Sequence, residues 1–187
     1  MKRRLFLTGA IGCGKSTAIE QALGNKISSC CGFLTRRIRD EQGKLVSFSL
    51  LDLSSGREEV FLDFSSGHPE MYMAVFKTLG AVSLRGDLLV LDEIGGIELL
   101  CTEFAASLKE ALTRDVPILG VMKGEGPANA LIQALGLSEE YKTAANQLRK
   151  WLQEDEETLL YTCNRFDENA LLLAKQWAEV YVHEELF

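Results

Sequence analysis

Histidine is nearly missing from this chain of 187 residues. The two that occur are His68, ahead of Pro69 at a turn, and His183, near the end; both are expected at the surface, not on a metal. Cysteine is an odd set, namely Cys13, Cys30, Cys31, Cys101 and Cys163, with no C-x-x-C pair and no histidine at zinc-finger spacing. A zinc framework and a disulfide scaffold are therefore excluded, and reduced, cytoplasmic thiols are expected. Adjacent Cys30 and Cys31 would point to opposite faces of a strand, which argues for small buried hydrophobes over a shared metal. No stretch of about 18 apolar residues occurs. The start, Met1-Lys2-Arg3-Arg4 and then Leu5-Phe6-Leu7, halts at Thr8-Gly9, too short for a signal-peptide core. A soluble, intracellular protein without a membrane partner is expected.

Positive charge is also in short supply. Twenty Lys and Arg face 27 Asp and Glu, a formal balance of -7. That disfavours nucleic acid as a partner, because a polyanion needs clustered basic residues. Any anionic ligand must be held by a local positive site. Repeats, low-complexity tracts and linkers are lacking too. With 47% apolar residues the chain can bury a full core, so residues 1–187 are read as one domain.

Leu5 to Thr8 is an apolar run that ends at glycine, and Gly14 to Leu23 takes up a helical pattern that stops at Gly24-Asn25. Phe33–Ile38, Leu45–Leu53 and Glu59–Phe64 look like three strands separated by turn-forming stretches, which predicts an antiparallel meander inserted early. Pro69 suits a first helical position, and Met71 to Val82 continue with helical periodicity. Leu88-Leu89-Val90-Leu91 reads as a strand buried on both faces. A helix near Cys101–Leu112, a strand at Pro117–Met122, helical stretches from Ala128 to Gln153, a strand near Thr158–Cys163 and a last helix from Glu168 complete the order. Such alternation predicts an α/β domain with a mostly parallel sheet and ligands at the carboxyl ends of its strands. The acidic run Glu154-Asp155-Glu156-Glu157 reads as a solvated helix end or turn.

Gly9-Ala10-Ile11-Gly12-Cys13-Gly14-Lys15-Ser16 fits the P-loop pattern G-x-x-x-x-G-K-[ST] at every fixed position, between a predicted strand and a predicted helix. There the backbone amides and the positive end of a helix dipole can face phosphate oxygens, and glycine lets the main chain wrap the anion. Lys15 would reach the β- and γ-phosphates, the Ser16 hydroxyl would coordinate Mg2+, and Thr17 would support the α-phosphate. Cys13 occupies a tolerated position, although a thiol at a helix N-terminus can be reactive. The pattern implies a nucleoside triphosphate, ATP, GTP or another, as ligand.

The metal of such a site wants a carboxylate at the end of a neighbouring buried strand. Asp92 supplies it. Glu93, read as one residue beyond the strand, could orient or deprotonate an attacking water. Gly95 and Gly96 could approach the terminal phosphate. An arginine there can speed hydrolysis, and Arg36, Arg37 and Arg39 are candidates in cis; Arg39 is taken as the catalytic one, with Lys15 and Glu93.

With these residues in place, the sequence resembles the small P-loop nucleoside-triphosphatase family of the cancer-related type. Four stretches carry the resemblance: Leu5-Phe6-Leu7-Thr8-Gly9 into the P-loop; Gly32-Phe33-Leu34-Thr35 running on to Arg39; Leu91-Asp92-Glu93-Ile94-Gly95 with Glu98-Leu99; and Asn164-Arg165 after the last strand. The resemblance implies a three-layer RecA-like α/β fold and slow, magnesium-dependent hydrolysis of several nucleoside triphosphates. Departures are Arg36-Arg37, where acidic residues are frequent, and Gly96-Ile97, where Lys-Met is usual; they leave phosphate binding intact and the substrate preference open. Asn164-Arg165-Phe166-Asp167 also echoes the guanine-recognition box N-K-x-D with Arg for Lys, so Asn164 and Arg165 are candidates on the base side, whereas Asp167 is equally an ordinary N-cap. Two rival functions are a small nucleotide or metabolite kinase, which would need an acceptor pocket and a lid, and a nucleotide-dependent switch for an unknown protein partner.

Overall fold

In the computed structural model, residues 1–124, 133, 135–137, 139–165 and 167–182 are described. Along the chain come β1 (Arg4–Gly9), α1 (Lys15–Leu23), β2 (Cys31–Arg39), β3 (Leu45–Asp52), β4 (Glu58–Asp63) and a short β5 (Glu70–Met71). A π-helical turn, Phe76–Gly80, runs into α2 (Ala81–Ser83), followed by β6 (Leu89–Ile94), α3 (Thr102–Thr113) and β7 (Ile118–Met122). The chain continues with α4 (Glu139–Glu154), β8 (Thr158–Cys163) and α5 (Glu168–Tyr181).

All eight strands form one sheet in the order β5-β4-β3-β2-β6-β7-β1-β8. From β2 to β8 neighbouring strands are parallel, and β2-β3-β4-β5 is the antiparallel meander that the sequence predicts. β7 separates β1 from β6. Residues alternate across β1: Phe6 joins one core with Phe33, Leu91 and Phe104, while Leu5 and Leu7 join the other with Ile19, Val90 and Trp177. Helices on both faces make three layers, the α/β architecture expected. Burying each such Leu or Phe stabilises the fold by roughly 1.5–3 kcal/mol against leaving it exposed.

Three expectations are corrected. Pro69 does not open a helix: Glu70 and Met71 pair with Asp63 and Leu62 at the sheet edge, where the amide that proline lacks costs no ladder bond. The helical pattern read from Met71 starts later and includes a π turn at Phe76–Gly80, where a Cβ on Gly80 would come within 2.9 Å of the Phe104 ring. Asp155 is no mere solvated charge. It pairs at 2.9 Å with Arg4, whose side chain is buried, and also accepts from the Thr158 hydroxyl. The reading of helix from Ala128 is met from Glu139; residues 128–132 and His183 lie outside the described residues. Among the described residues no helix is long and apolar enough to cross a membrane.

Candidate functional site

The loop from Gly9 to Ser16 joins β1 to α1, so its shape follows from a strand end and a helix start facing one another. Gly12 and Gly14 lie at φ 76° and 93°, a left-handed backbone that a side chain would strain, with open space where a Cβ would sit. Gly9, at φ 125°, has a second reason to be glycine: its Cβ would lie 2.5 Å from the carbonyl oxygen of Cys163, the residue paired with it on β8. Gly14 is the N-cap of α1 and no side chain caps the helix, which leaves its first amides for another acceptor. Lys15 Nζ folds onto the loop, 2.7 Å from the Ala10 carbonyl oxygen, 3.2 Å from that of Gly9 and 3.4 Å from Cys13 Sγ. Ala10, Ile11 and Thr17 are exposed beside it.

Ser16 Oγ donates to Asp92 Oδ1 at 2.8 Å, which ties the first turn of α1 to β6 across the intervening strand. The other carboxylate oxygen accepts from the Thr35 amide at 3.2 Å, while the Thr35 hydroxyl donates to the Asp92 carbonyl at 3.0 Å. Asp92 is only 2% exposed. Burial, and next the charge of Glu93, push its carboxyl up to about 7 against the lowering effect of the Ser16 and Thr35 hydrogen bonds. A hydroxyl and a buried carboxylate with no basic partner among the described residues form a hard oxygen donor set, which fits a magnesium ion.

Glu93 lies within β6, not beyond it, because the strand resumes pairing at Ile94 with Met122 after a register shift past Leu91. At that irregularity Glu93 adopts φ 62°, the one positive φ outside glycine among the described residues. A left-handed L-residue costs roughly 1–2 kcal/mol, and such strain concentrates at functional sites. Arg37 donates to Glu93 Oε1 at 2.5 Å, so the carboxylate has a fixed direction.

Of the three arginines on β2, only Arg37 meets the acidic pair. Arg36 binds Glu20 on α1. Arg39 is exposed and donates to the Gly43 carbonyl at 2.7 Å in the hairpin turn, so the structure does not bring it to the cluster. Asn164 and Arg165 follow β8, beside the start of the loop, and both are exposed. The Asp167 carboxylate is taken by the amides of Asn164 and Asn169 and by the Tyr161 hydroxyl, as an N-cap would be. Phe166 lies outside the described residues. Thr35, to which the sequence gives no role, and Arg37, a candidate passed over for Arg39, are the residues the structure adds to the cluster. Their signal is a strand register, two positions apart on one face of β2, which spacing alone does not display.

Cys30, Cys101 and Cys163 are buried. Burial, with a contribution from Cys31, pushes the Cys30 thiol to about 11, and burial together with Cys13 pushes Cys163 to about 12.

Comparison with known proteins gives the same architecture and a family. The solution structure of a human cancer-related nucleoside triphosphatase superposes with a TM-score of 0.63 over 95% of this chain and 96% of that one, at 24% identity. The crystal structure of THEP1 from the hyperthermophile Aquifex aeolicus gives 0.65 over 96% and 99%, at 14% identity. In sequence, the nucleoside-triphosphatase THEP1 of Pyrobaculum islandicum is 31% identical over 128 residues, 64% of this chain and 73% of that protein. The THEP1 of Methanosarcina barkeri is 32% identical over 133 residues, 64% and 75% of the two chains. A family model described as NTPase matches residues 4–155. The chain belongs to this NTPase family, and it is a nucleoside-triphosphatase.

Proposed function

We propose that the protein hydrolyses nucleoside triphosphates, ATP and GTP among them, to diphosphate and phosphate in a magnesium-dependent reaction at the junction of α1 and β6. The observation that carries the reading is the 2.8 Å hydrogen bond between Ser16 and Asp92. It brings the hydroxyl and carboxylate that a phosphate-bound magnesium requires onto one point. When bound, the ion supplies charge neutralisation across the β- and γ-phosphates. Ser16 and Asp92 would hold it, Asp92 as the carboxylate anchor.

The amides of residues 9–17 receive the phosphate chain, and Lys15 leaves its carbonyl contacts for the β- and γ-oxygens. Glu93, aimed by Arg37, accepts a proton from the attacking water. The water oxygen bonds to the γ-phosphorus as the bridging bond to the β-phosphate oxygen breaks, and the electron pair of that bond leaves with the diphosphate. Asn164 and Arg165 flank the base. Five free cysteines and the acidic balance suit a reducing cytoplasm without a nucleic-acid or membrane partner.

Phosphate release should be measured for a panel of nucleoside triphosphates with magnesium or with EDTA. The expected result is release from several triphosphates that EDTA abolishes. Turnover that appears only when a nucleoside, a monophosphate or another acceptor is added would overturn the hydrolase in favour of a kinase.

A further inference from the structure

Hydrolysis asks for a cation on the terminal phosphoryl group in addition to Lys15, since charge accumulates on its oxygens in the transition state. The three arginines of β2 are engaged elsewhere, with Glu20, Glu93 and the Gly43 carbonyl respectively. The sheet order supplies a different candidate. β7 runs between β1 and β6, and Leu7 pairs with Val121, so the same parallel register carried two residues onward sets Lys123 level with Gly9, where the phosphate loop starts. On the opposite side the Lys123 amide donates to the Ile94 carbonyl at 2.8 Å, two residues past Asp92. The Lys123 backbone therefore stands at the carboxyl tip of the central strand, between the phosphate loop and the acidic strand. Arg149 holds its carbonyl at 2.5 Å.

The side chain is placed just as specifically. A Cβ on Gly96 would lie 2.4 Å from Lys123 Nζ and 2.6 Å from Glu98 Oε2. Gly96 has φ -115°, which any residue can adopt, so what glycine does there is leave room, and the flexible end of Lys123 occupies that room. Glu98, 4% exposed, accepts from the Gly96 amide at 2.7 Å, and burial pushes its carboxyl up while the charge of Lys123 draws it down. An ammonium has three donors, enough to bind a phosphate oxygen beside Glu98.

The geometry points to Lys123 as a ligand of the terminal phosphoryl group, a catalytic cation that no motif in the chain announces and for which Gly96 leaves room. This assignment rests on the hydrolase reading above. During the reaction Lys123 keeps its proton; it neutralises charge on the γ-oxygens while the water proton passes to Glu93 and the bridging electron pair goes to the diphosphate.

The test compares Lys123→Met, Lys123→Arg and Gly96→Ala with the parent protein in turnover of ATP and GTP, and in calorimetric affinity for the diphosphates and for non-hydrolysable triphosphate analogues. For Lys123→Met, kcat should fall about 10²–10³-fold, and the preference for triphosphate analogue over diphosphate should shrink about tenfold. Its affinity for diphosphate should stay within about threefold of the parent, which also shows that the site is folded. Lys123→Arg should restore a large part of the rate. Gly96→Ala keeps the lysine but pushes its ammonium aside, and should reproduce the loss of kcat with diphosphate affinity unchanged. Should Lys123→Met fail to bind diphosphate, Gly96→Ala decides the question. Variants that bind diphosphate normally and turn over at the parental rate would overturn the assignment. A parent that releases no phosphate from any triphosphate would instead sink the hydrolase reading itself.

Discussion

The two halves of the sheet are built on opposite plans. In the parallel half every residue of β7 is buried, and Leu89, Val90 and Leu91 of β6 are fully covered, because helices close both faces. In the meander, burial along β3 and β4 is patchy, buried polar residues such as Ser47, Ser49 and Asp52 appear, and the apolar side is a cluster of aromatic rings including Phe48, Phe61 and Phe76. A strand buried on both faces has no room for chemistry along its length, so polar function collects where it ends. Lys15, Ser16, Asp92, Glu93 and Lys123 all lie at or just past a carboxyl end. The meander reaches that region through β2, by way of Thr35 and Arg37. The lesson is a separation of labour: one half should govern the reaction, the other mainly the persistence of the fold.

The separation can be attacked first where the effect is largest. Lys15→Ala should weaken triphosphate binding by at least about 100-fold, since a charge-assisted contact to phosphate is lost, and should leave no measurable turnover. Calorimetry with ATP and GTP checks it. Glu93→Gln should keep binding and lose about 10²–10⁴-fold in kcat, as expected when a general base is removed; parental turnover in this variant would withdraw Glu93 from its role. On the meander, Leu50→Ala empties a site that is 1% exposed and should cost about 2–5 kcal/mol in urea unfolding while KM stays unchanged. An equal loss of nucleotide affinity would show that the halves are not separate.

The smallest effect tests stability within the parallel half. Burial raises the Asp155 carboxyl, but hydrogen bonds from Thr158 and Arg4 and the Arg4 charge outweigh it and hold the group below the usual carboxylate range. Its contribution is present above the unfolded value of about 3.9 and is lost as pH falls through the folded value. Asp155→Asn should therefore cost about 1–3 kcal/mol at pH 7 and flatten the decline of stability in acid, measured as urea unfolding across pH 3–7. Unchanged acid sensitivity would place the decline elsewhere.

Much of this was legible from local pattern. The P-loop can be read because its chemistry lies in consecutive residues, and Asp92 because an unbroken apolar run must end somewhere polar. Strand and helix order followed from periodicity for the same reason. What escaped depends on contacts between distant segments. Local pattern puts Glu93 past the strand end, since nothing nearby announces that β6 resumes pairing at Ile94. Sequence does not separate Arg37 from Arg39, because register decides which guanidinium reaches Glu93. Pro69 belongs to a helix start by local rules, and only the free edge beside β4 makes the two residues after it a strand. Lys123 has no motif at all, because its meaning comes from the order in which β1, β7 and β6 lie side by side.

The left-handed backbone at Glu93 sets thermal endurance against usefulness at a single codon. Glycine would relieve that conformation and should raise the melting temperature, while deleting the carboxylate and with it turnover. A library selected only for survival on heating should therefore enrich Glu93→Gly and return hardy, inert molecules, whereas selection on phosphate release should keep the uncomfortable glutamate.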